Sequence, residues 1–292
     1  MSNSRETKQL SGAHTARRGS VGALSRMAMP DAVVAFRLTG KVQRTLQEAL
    51  AGSVPVRYTA ELEECQFLLQ RHRSTALVVQ VPTVSAASDL SALLDLRHLF
   101  PFVSVTGIYT EPTSDLSAVA RLGAVGIVDF IPAEQTHRAD LVRALLSRGH
   151  IESFVARIWR MTSLAVHESV ATLLRPAITL AHAPITLPRL AAATKMHERS
   201  LRKYCEGQGL PSPQWIIGWA RTLVIAYYLE EQGRSIQSIS TLLGFSSPAL
   251  LASHLRRYTR RTASDLRRHA PLLTAARMLE HALVPTPPFY SQ

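Results

Sequence analysis

Two short stretches in the last third of the chain combine basic side chains with small polar ones at spacings typical of a helix surface. The first stretch contains His197, Arg199, Ser200, Arg202 and Lys203. The second contains Ser246, Ser247, Ala249, Leu250, Ser253, Arg256 and Arg257. Guanidinium groups bind phosphate oxygens and guanine edges, and serine hydroxyls add further hydrogen bonds. These residues are therefore candidates for binding a polyanion, and double-stranded DNA is the first to consider.

The positive charge of the chain is concentrated around these stretches. Its 292 residues carry a formal net charge of +12, and the pI is about 10.5. Residues 181–292 contain 14 basic and 6 acidic residues, whereas residues 31–150 contain 11 basic and 12 acidic ones. A basic segment that follows a neutral one indicates that one domain binds an anion and the other has a different role. Nucleic acid is the expected partner, ahead of an anionic membrane surface.

The second stretch lies within a pattern of two short helices. Gly244 marks a turn between them, because glycine adopts the left-handed conformation without steric cost. Ser246 or Ser247 caps the next helix, and Pro248 suits its first turn. In that helix we expect Leu251, Leu255 and Tyr258 to face inward, and Ala249, Leu250, Ser253, His254, Arg256 and Arg257 to face outward. This arrangement predicts a helix-turn-helix, whose second helix can enter a DNA major groove.

The first stretch follows a similar plan. Its spacing predicts a short helix up to Thr194, a turn at Lys195-Met196 and a second helix that begins at His197. Leu201, Tyr204 and Cys205 are expected to face inward from that second helix. Residues 212–235, between the two units, predict one long apolar-periodic helix.

The order and spacing of three segments resemble the AraC/XylS family of transcription regulators. These segments are LAAATKMHERSLRK, LPSPQWIIGWARTLVIAYYL and SIQSISTLLGFSSPALLASHLRR, and the resemblance covers residues 184–268. It implies that the two second helices enter successive segments of the major groove, about 34–36 Å apart.

Several residues depart from the pattern of that family. Glycine is usual where this chain has Lys195, serine where it has His197, and arginine where it has Ser253. After the second unit, the usual glycine and Ser-Pro are replaced by Arg260, Thr262 and Ala263. The departures leave few hydrogen-bond donors for base edges in the second unit.

We therefore expect the two units to contribute differently. Arg199, Arg202 and Lys203 should carry most of the direct reading of bases. Arg256 and Arg257 should mainly hold phosphates. Leu250 could contact only a thymine methyl group.

Residues 31–149 alternate short apolar runs with amphipathic ones. Five such repeats predict an α/β domain with one doubly wound parallel sheet, placed before an all-α domain with two helix-turn-helix units. The order, the lengths and the segment GAVGIVDFIPAE resemble a bacterial response-regulator receiver, a flavodoxin-like fold. Together with the missing phosphorylation residues described next, the resemblance favours a receiver-like scaffold for contacts between proteins.

The phosphorylation chemistry of receivers is missing at the matching positions. The acidic pair after the first strand is replaced by about Arg37 and Leu38, and the third strand ends Gln80-Val81-Pro82 without a carboxylate. The lysine after the fifth strand is absent from Ile131-Pro132-Ala133-Glu134. Because a phosphoryl acceptor needs carboxylates to hold Mg²⁺ and to attack phosphorus, we predict no phosphorylation by that route. Thr110 could match the switch hydroxyl of the family.

The remaining segments complete the expected organisation. Residues 1–30 are expected to be a flexible tail, 150–183 a helical connector, 184–270 the AraC-type domain and 271–292 a C-terminal tail. The connector could form a dimer seam, or it could supply the first helix packed on the C-terminal domain.

The motifs of common enzymes are missing from the sequence, and so are paired carboxylates and histidine clusters at ligand spacing, so we expect neither catalysis nor a cofactor or metal. The leading hypothesis is a cytoplasmic bacterial transcription regulator that binds duplex DNA. The alternatives are a protein-interaction adaptor with a decayed DNA-binding surface, and a sensor of a small ligand at the sheet edge. A homodimer and a contact with RNA polymerase or another protein are left open.

Overall fold

The computed structural model describes residues 29–283 except 72–74, 82–86, 101–102, 110–115, 125–126, 128, 165–166 and 232. The expected N-terminal tail lies almost wholly outside the described residues, and so does Thr110. The chain divides into two compact units, Met1–Phe154 and Val155–Gln292. Among the described helices, none has the length and apolar character needed to cross a membrane.

A five-stranded parallel sheet forms the centre of the N-terminal unit. The strands are β1 Ala32–Phe36, β2 Val56–Thr59, β3 Thr75–Gln80, β4 Ser104–Tyr109 and β5 Asp129–Pro132. Their order across the sheet is β2-β1-β3-β4-β5. All five residues of β1 are buried, because its neighbours in the sheet and the helices on both faces exclude water.

Five described helices surround the sheet, and both of its faces are covered. They are α1 Gly40–Leu50, α2 Leu62–Arg71, α3 Ala87–Leu99, α4 Leu116–Ala124 and α5 Ala139–Met161. Leu46 of α1 and Leu146 of α5 pack on one face. Leu69 of α2, Leu93 of α3 and Leu122 of α4 pack on the other. The alternating elements predicted from the sequence are thus present in the predicted order.

Helix α5 is longer than the sequence indicated. The sequence predicts a domain boundary after residue 149 and a separate helical connector from residue 150. Gly149 instead lies inside the helix, where an added Cβ would lie 3.1 Å from Cβ of Ser104 on β4. The glycine therefore permits close packing of helix on sheet, and the apolar periodicity continues to buried Phe154 and Ile158.

The C-terminal unit is entirely helical over its described residues. After the end of α5 come α6 Glu168–Leu180, α7 Leu187–Ala193, α8 Glu198–Gly207, α9 Pro213–Leu229, α10 Ile236–Leu242, α11 Pro248–Thr259, α12 Ala263–Arg267 and α13 Pro271–Leu283. Helix α9 is the centre of the unit, and almost all of its residues are buried. Helices α6, α11 and α13 pack against it.

The packing of α6 bears on the two roles considered for the connector. Its apolar face, which includes Leu173, Leu174 and Ala177, is buried, and the helix packs on α9 within the same unit. These residues serve the core of the C-terminal unit, which agrees with the second of the two alternatives.

Residues 271–283 differ from the expected C-terminal tail, because they form helix α13. Leu272, Ala275, Ala276 and Leu279 are fully buried, and their spacing places them on one side of a helix. Two of these four buried residues are alanines, which contribute little to a hydrophobic pattern. Residues 284–292 lie outside the described part of the chain.

Candidate nucleic-acid interface

Helices α7 and α8 form the first helix-turn-helix. The turn passes through Thr194, Lys195 and Met196. Lys195 adopts a left-handed backbone with a φ of 56°, which costs a residue other than glycine about 1–2 kcal/mol. His197 is the N-cap of α8, but its side chain makes no capping hydrogen bond. Buried Leu201 and Cys205 attach α8 to the domain.

The outer face of α8 carries every candidate residue predicted for the first unit. His197, Arg199, Ser200, Arg202 and Lys203 are all exposed. Arg199 and Lys203 are four positions apart, so they share one side of the helix. This side can present a guanidinium and an ammonium group to a negatively charged surface.

Helices α10 and α11 form the second helix-turn-helix, which has more complete local bonding. Gly244 occupies the left-handed position of the turn with a φ of 66°, and an added Cβ would lie 2.8 Å from Cγ of Pro184. The Ser247 hydroxyl accepts a hydrogen bond from the Leu250 N–H at 3.3 Å. Ser235 caps α10 in the same way, accepting from the Ser238 N–H at 3.0 Å. Only glycine fits this turn without displacing Pro184.

The outer face of α11 carries the candidates of the second unit. Ser246, Ala249, Leu250, Ser253, Arg256 and Arg257 are exposed, and Ser247 is partly buried as the cap. The two arginines lie in the last turn of the helix. Basic charge is therefore available at the C-terminal end of α11, beyond an uncharged first half.

His254 does not face outward as the sequence analysis expected. Its Nε2 donates to the Gly218 carbonyl at 3.1 Å and lies 3.2 Å from Oγ1 of Thr222. Burial lowers the pKa of His254 to about 4, and the nearby charges of Arg221 and Arg257 act in the same direction. The imidazole is therefore neutral at physiological pH and attaches α11 to α9.

A close contact between helices explains why His254 reaches α9. A Cβ added at Gly218 would lie 1.7 Å from Oη of Tyr258. The ring of Tyr258 also packs against Trp219, with 5.6 Å between ring centroids. Sequence reasoning missed this contact, although an isolated glycine within a long apolar helix is a signal for close packing.

Arg221 on α9 secures the turn of the second unit. Its Nη2 donates to the Leu243 carbonyl at 2.9 Å, and its guanidinium lies 4.0 Å from the centroid of the Phe245 ring. Phe245 in turn packs edge-on against His254, with 5.7 Å between centroids. Phe245 thus fills the gap between the helices of the second unit, and its contacts also involve α9. Nothing in the local pattern around residue 221 indicated this role.

Helices α8 and α11 are the second helices of the two units, here called the outer helices. They can be compared position by position from their N-caps, His197 and Ser247. On this alignment Arg199 corresponds to Ala249, Ser200 to Leu250, Lys203 to Ser253 and Glu206 to Arg256. In a helix-turn-helix the N-terminal residues of the second helix contact base edges. The first unit therefore presents charged donors where bases are read, and the second presents apolar and small side chains.

Comparison with known proteins finds a match in the C-terminal part of the chain. Residues 190–269 match a family model described as a helix-turn-helix domain. The match covers nearly all of both units and the helix between them, and it supports an AraC-type helix-turn-helix domain in the C-terminal part of the chain. The presence of such a domain supports the interpretation that the protein is a DNA-binding transcription regulator. No curated protein and no solved structure matches the chain.

Metal-ligand clusters and reactive thiols would indicate further chemistry in the described residues of the chain. No group of three or more His, Cys, Asp or Glu residues that could hold a metal ion occurs among these residues. Cys65 and Cys205 are both buried. Burial raises the pKa of the Cys65 thiol to about 12 and also raises that of Cys205. Both thiols are therefore protonated near neutral pH and poorly nucleophilic.

At the carboxyl end of the sheet, the described residues that end β1 and β3 carry no carboxylate. Gln80, the last residue of β3, is buried and its Oε1 accepts from the Thr39 N–H at 2.6 Å. Arg37 follows β1 with a left-handed backbone, and its Nε donates to the Ala60 carbonyl at 2.9 Å. A neutral amide and a cation thus stand where a receiver needs acids, which leaves no Mg²⁺ ligands at these positions.

Proposed function

We propose that the protein is a sequence-specific transcription regulator whose outer helices, α8 and α11, enter successive segments of the DNA major groove. The observation that carries this proposal is the presence of two exposed basic helices on one buried support. Helix α9 has 17 residues, almost all of them buried, so it gives the two units a common foundation. The net positive charge of this region raises the affinity for any DNA duplex. The exposed side chains of α8 and α11 distinguish one base sequence from another.

The two helix-turn-helix units have different roles in this proposal. Arg199, Arg202 and Lys203 hydrogen-bond base edges, with guanine the preferred partner of arginine. Arg256 and Arg257, in the last turn of α11, contact phosphates and fix the register. Chromosomal DNA is the proposed partner, and for a bacterial regulator the site of action is then the cytoplasm.

The N-terminal unit serves protein contacts in this proposal. Its strand order is the flavodoxin-like order of doubly wound sheets, which supports a receiver-like scaffold. Gln80 at the end of β3 supports a domain that works without phosphorylation. Dimerisation, or contact with RNA polymerase or another protein, is the role proposed for this unit.

In vitro selection from a pool of random duplexes, followed by fluorescence anisotropy on full-length protein, tests the proposal. We expect the selected duplex to bind at least about a hundredfold more tightly than a scrambled duplex of equal length. Affinity for both should fall steeply between two salt concentrations, because bound phosphates release counterions. Equal binding to both duplexes would contradict sequence-specific regulation.

A pair of variants separates base reading from general charge. The double variant Arg199→Ala, Arg202→Ala should lose most of the preference for the selected duplex. Arg277→Ala is the control, because Arg277 is exposed on α13, outside both outer helices, and ion-pairs with Glu280 at 2.9 Å. The control should retain the preference. The same loss in both variants would mean that charge alone determines binding.

A further inference from the structure

The first half of α11 presents an exposed apolar surface. Leu250 is 53% exposed, and Ala249 beside it is also exposed. Ser253 follows one turn later on the same side as both residues, because positions three and four apart are neighbours on a helix. The Leu250 side chain does not contribute to the core, because the buried leucines of α11 are Leu251 and Leu255.

The surroundings of this apolar surface favour DNA as its partner. Arg256 lies seven positions beyond Ala249, and Arg257 lies seven positions beyond Leu250, so both arginines continue the same side of the helix. The surface lies within the residues that match a helix-turn-helix domain. A protein partner for an apolar patch would meet two uncompensated guanidinium groups beside it, whereas DNA supplies phosphates to meet them.

Within the major groove only one group is complementary to an alkyl side chain. Thymine exposes its C5-methyl group there, whereas guanine, cytosine and adenine expose hydrogen-bond donors or acceptors. A leucine at the third helical position cannot bond those groups, but it can bury the methyl. Ala249 is small enough to let the helix approach the bases closely.

We propose that the second helix-turn-helix recognises thymine methyl groups through Leu250 and Ala249. The half-site under α11 is therefore defined by thymines, whereas the half-site under α8 is defined by hydrogen bonds from arginine and lysine. This inference rests on the proposed function, because it requires specific duplex binding. It adds the chemistry by which the unit with few donors selects its sequence.

Replacing thymine by uracil tests the proposal, because the two bases differ only in the methyl group. The probes are the duplex obtained by selection and two copies of it, each with uracil in place of thymine in one half. We expect uracil in the half under α11 to weaken binding about fourfold for each methyl contacted by Leu250, the equivalent of one buried methylene. Uracil in the half under α8 should have little effect.

Two leucine variants assign the effect. Leu250→Ala should bind the thymine duplex more weakly and respond less to uracil. Leu273→Ala is the matched control, since Leu273 is 39% exposed on α13, outside both outer helices. It should respond to uracil as the wild-type protein does. Because both side chains are exposed, neither change should impair folding.

The outcomes distinguish this inference from the proposed function. A selected site that shows equal affinity with thymine and uracil, or that has no thymine in the half under α11, would overturn the thymine-methyl proposal alone. An unchanged uracil response in Leu250→Ala would overturn the role of Leu250. Selection without any enriched sequence would overturn both proposals.

Discussion

Aligned at His197 and Ser247, the two outer helices differ in where their basic residues lie. In α8 the charge is in the first two turns, at Arg199 and Lys203, whereas in α11 it is in the last turn, at Arg256 and Arg257. Because base edges are read near the N-terminus of such a helix, the same backbone plan can serve two kinds of recognition. Sequence similarity to a helix-turn-helix therefore does not by itself tell which unit reads which chemical group.

The two turns differ in the opposite sense. The second unit has glycine at its left-handed position and a serine cap, and Arg221 holds its turn. The first unit places Lys195 at the left-handed position, and its N-cap side chain does not bond the helix. The first unit carries more charged donors on its outer helix, but fewer local contacts stabilise its turn.

The largest expected effect concerns the contact that holds α11 on α9. Gly218→Ala should destabilise the protein by about 3 kcal/mol, because the new Cβ overlaps the Tyr258 ring and the helices must separate. Denaturant unfolding of the full-length protein measures the change. Gly207→Ala is the matched control, because an added Cβ meets nothing within 4 Å there. Equal stability of the two variants would contradict the close approach.

The buried imidazole of the second unit predicts a dependence of stability on pH. The pKa of His254 is about 4 in the folded protein and about 6.5 when unfolded. Since the unfolded chain binds the proton more readily in this interval, stability should fall as pH decreases from about 6.5 to 4, by at most about 3 kcal/mol. His254→Gln should have a shallower slope of unfolding free energy against pH. A slope equal to that of wild type would exclude His254 as the cause.

Substitutions of Arg202 and Arg257 test whether the first helix-turn-helix unit reads bases and the second holds phosphates. Arg202→Ala should cost about 1–3 kcal/mol on the selected duplex and less on random DNA, because it removes a base contact. Arg257→Ala should weaken binding to all duplexes similarly and reduce the salt slope by about 1, because it removes a phosphate contact. Anisotropy titrations at several salt concentrations measure both. If Arg202→Ala lost equally on both duplexes, Arg202 would read no bases.

The smallest expected effect concerns the strained turn of the first unit. Lys195→Gly should stabilise the protein by about 0.5 kcal/mol, since relief of the left-handed strain exceeds the added entropy of the unfolded chain. Gly244→Ala should act in the opposite direction and more strongly, because its Cβ would also press on Pro184. Denaturation midpoints compare the two. Destabilisation by Lys195→Gly would show that the lysine makes a contact worth more than the strain.

Local patterns in the sequence predicted most of the elements but not the contacts between them. The apolar runs at β1 and β3 and the glycine turn at Gly244 are short-range signals, so they indicate strands and a turn directly. The inward rotation of His254 depends on Gly218, which lies 36 residues earlier. A helical-wheel argument places residue 254 at the edge of the buried face, and only the partner helix decides which way it faces.

The exposure of most residues on the outer faces of α8 and α11 could be predicted, because it follows from their spacing to the buried residues of the same helix. Arg199, Lys203 and Leu250 lie where the spacing from buried Leu201 and Leu251 requires. The role of Arg221 could not be predicted, since a single arginine in an apolar helix gives no indication of the turn that it contacts. Helix α13 was missed for a related reason, because its buried positions include small alanines that contribute little to a hydrophobic pattern.

The burial of α9 has a consequence for how such a protein changes over generations. Stability resides in the helix that supports the units, while the side chains at positions 199, 203, 249, 250 and 253 are exposed. Under the proposed function, substitutions there alter the preferred sequence at little cost in folding free energy. Folding stability and binding preference then depend on different residues, so copies of such a gene can acquire new targets through a few exposed changes.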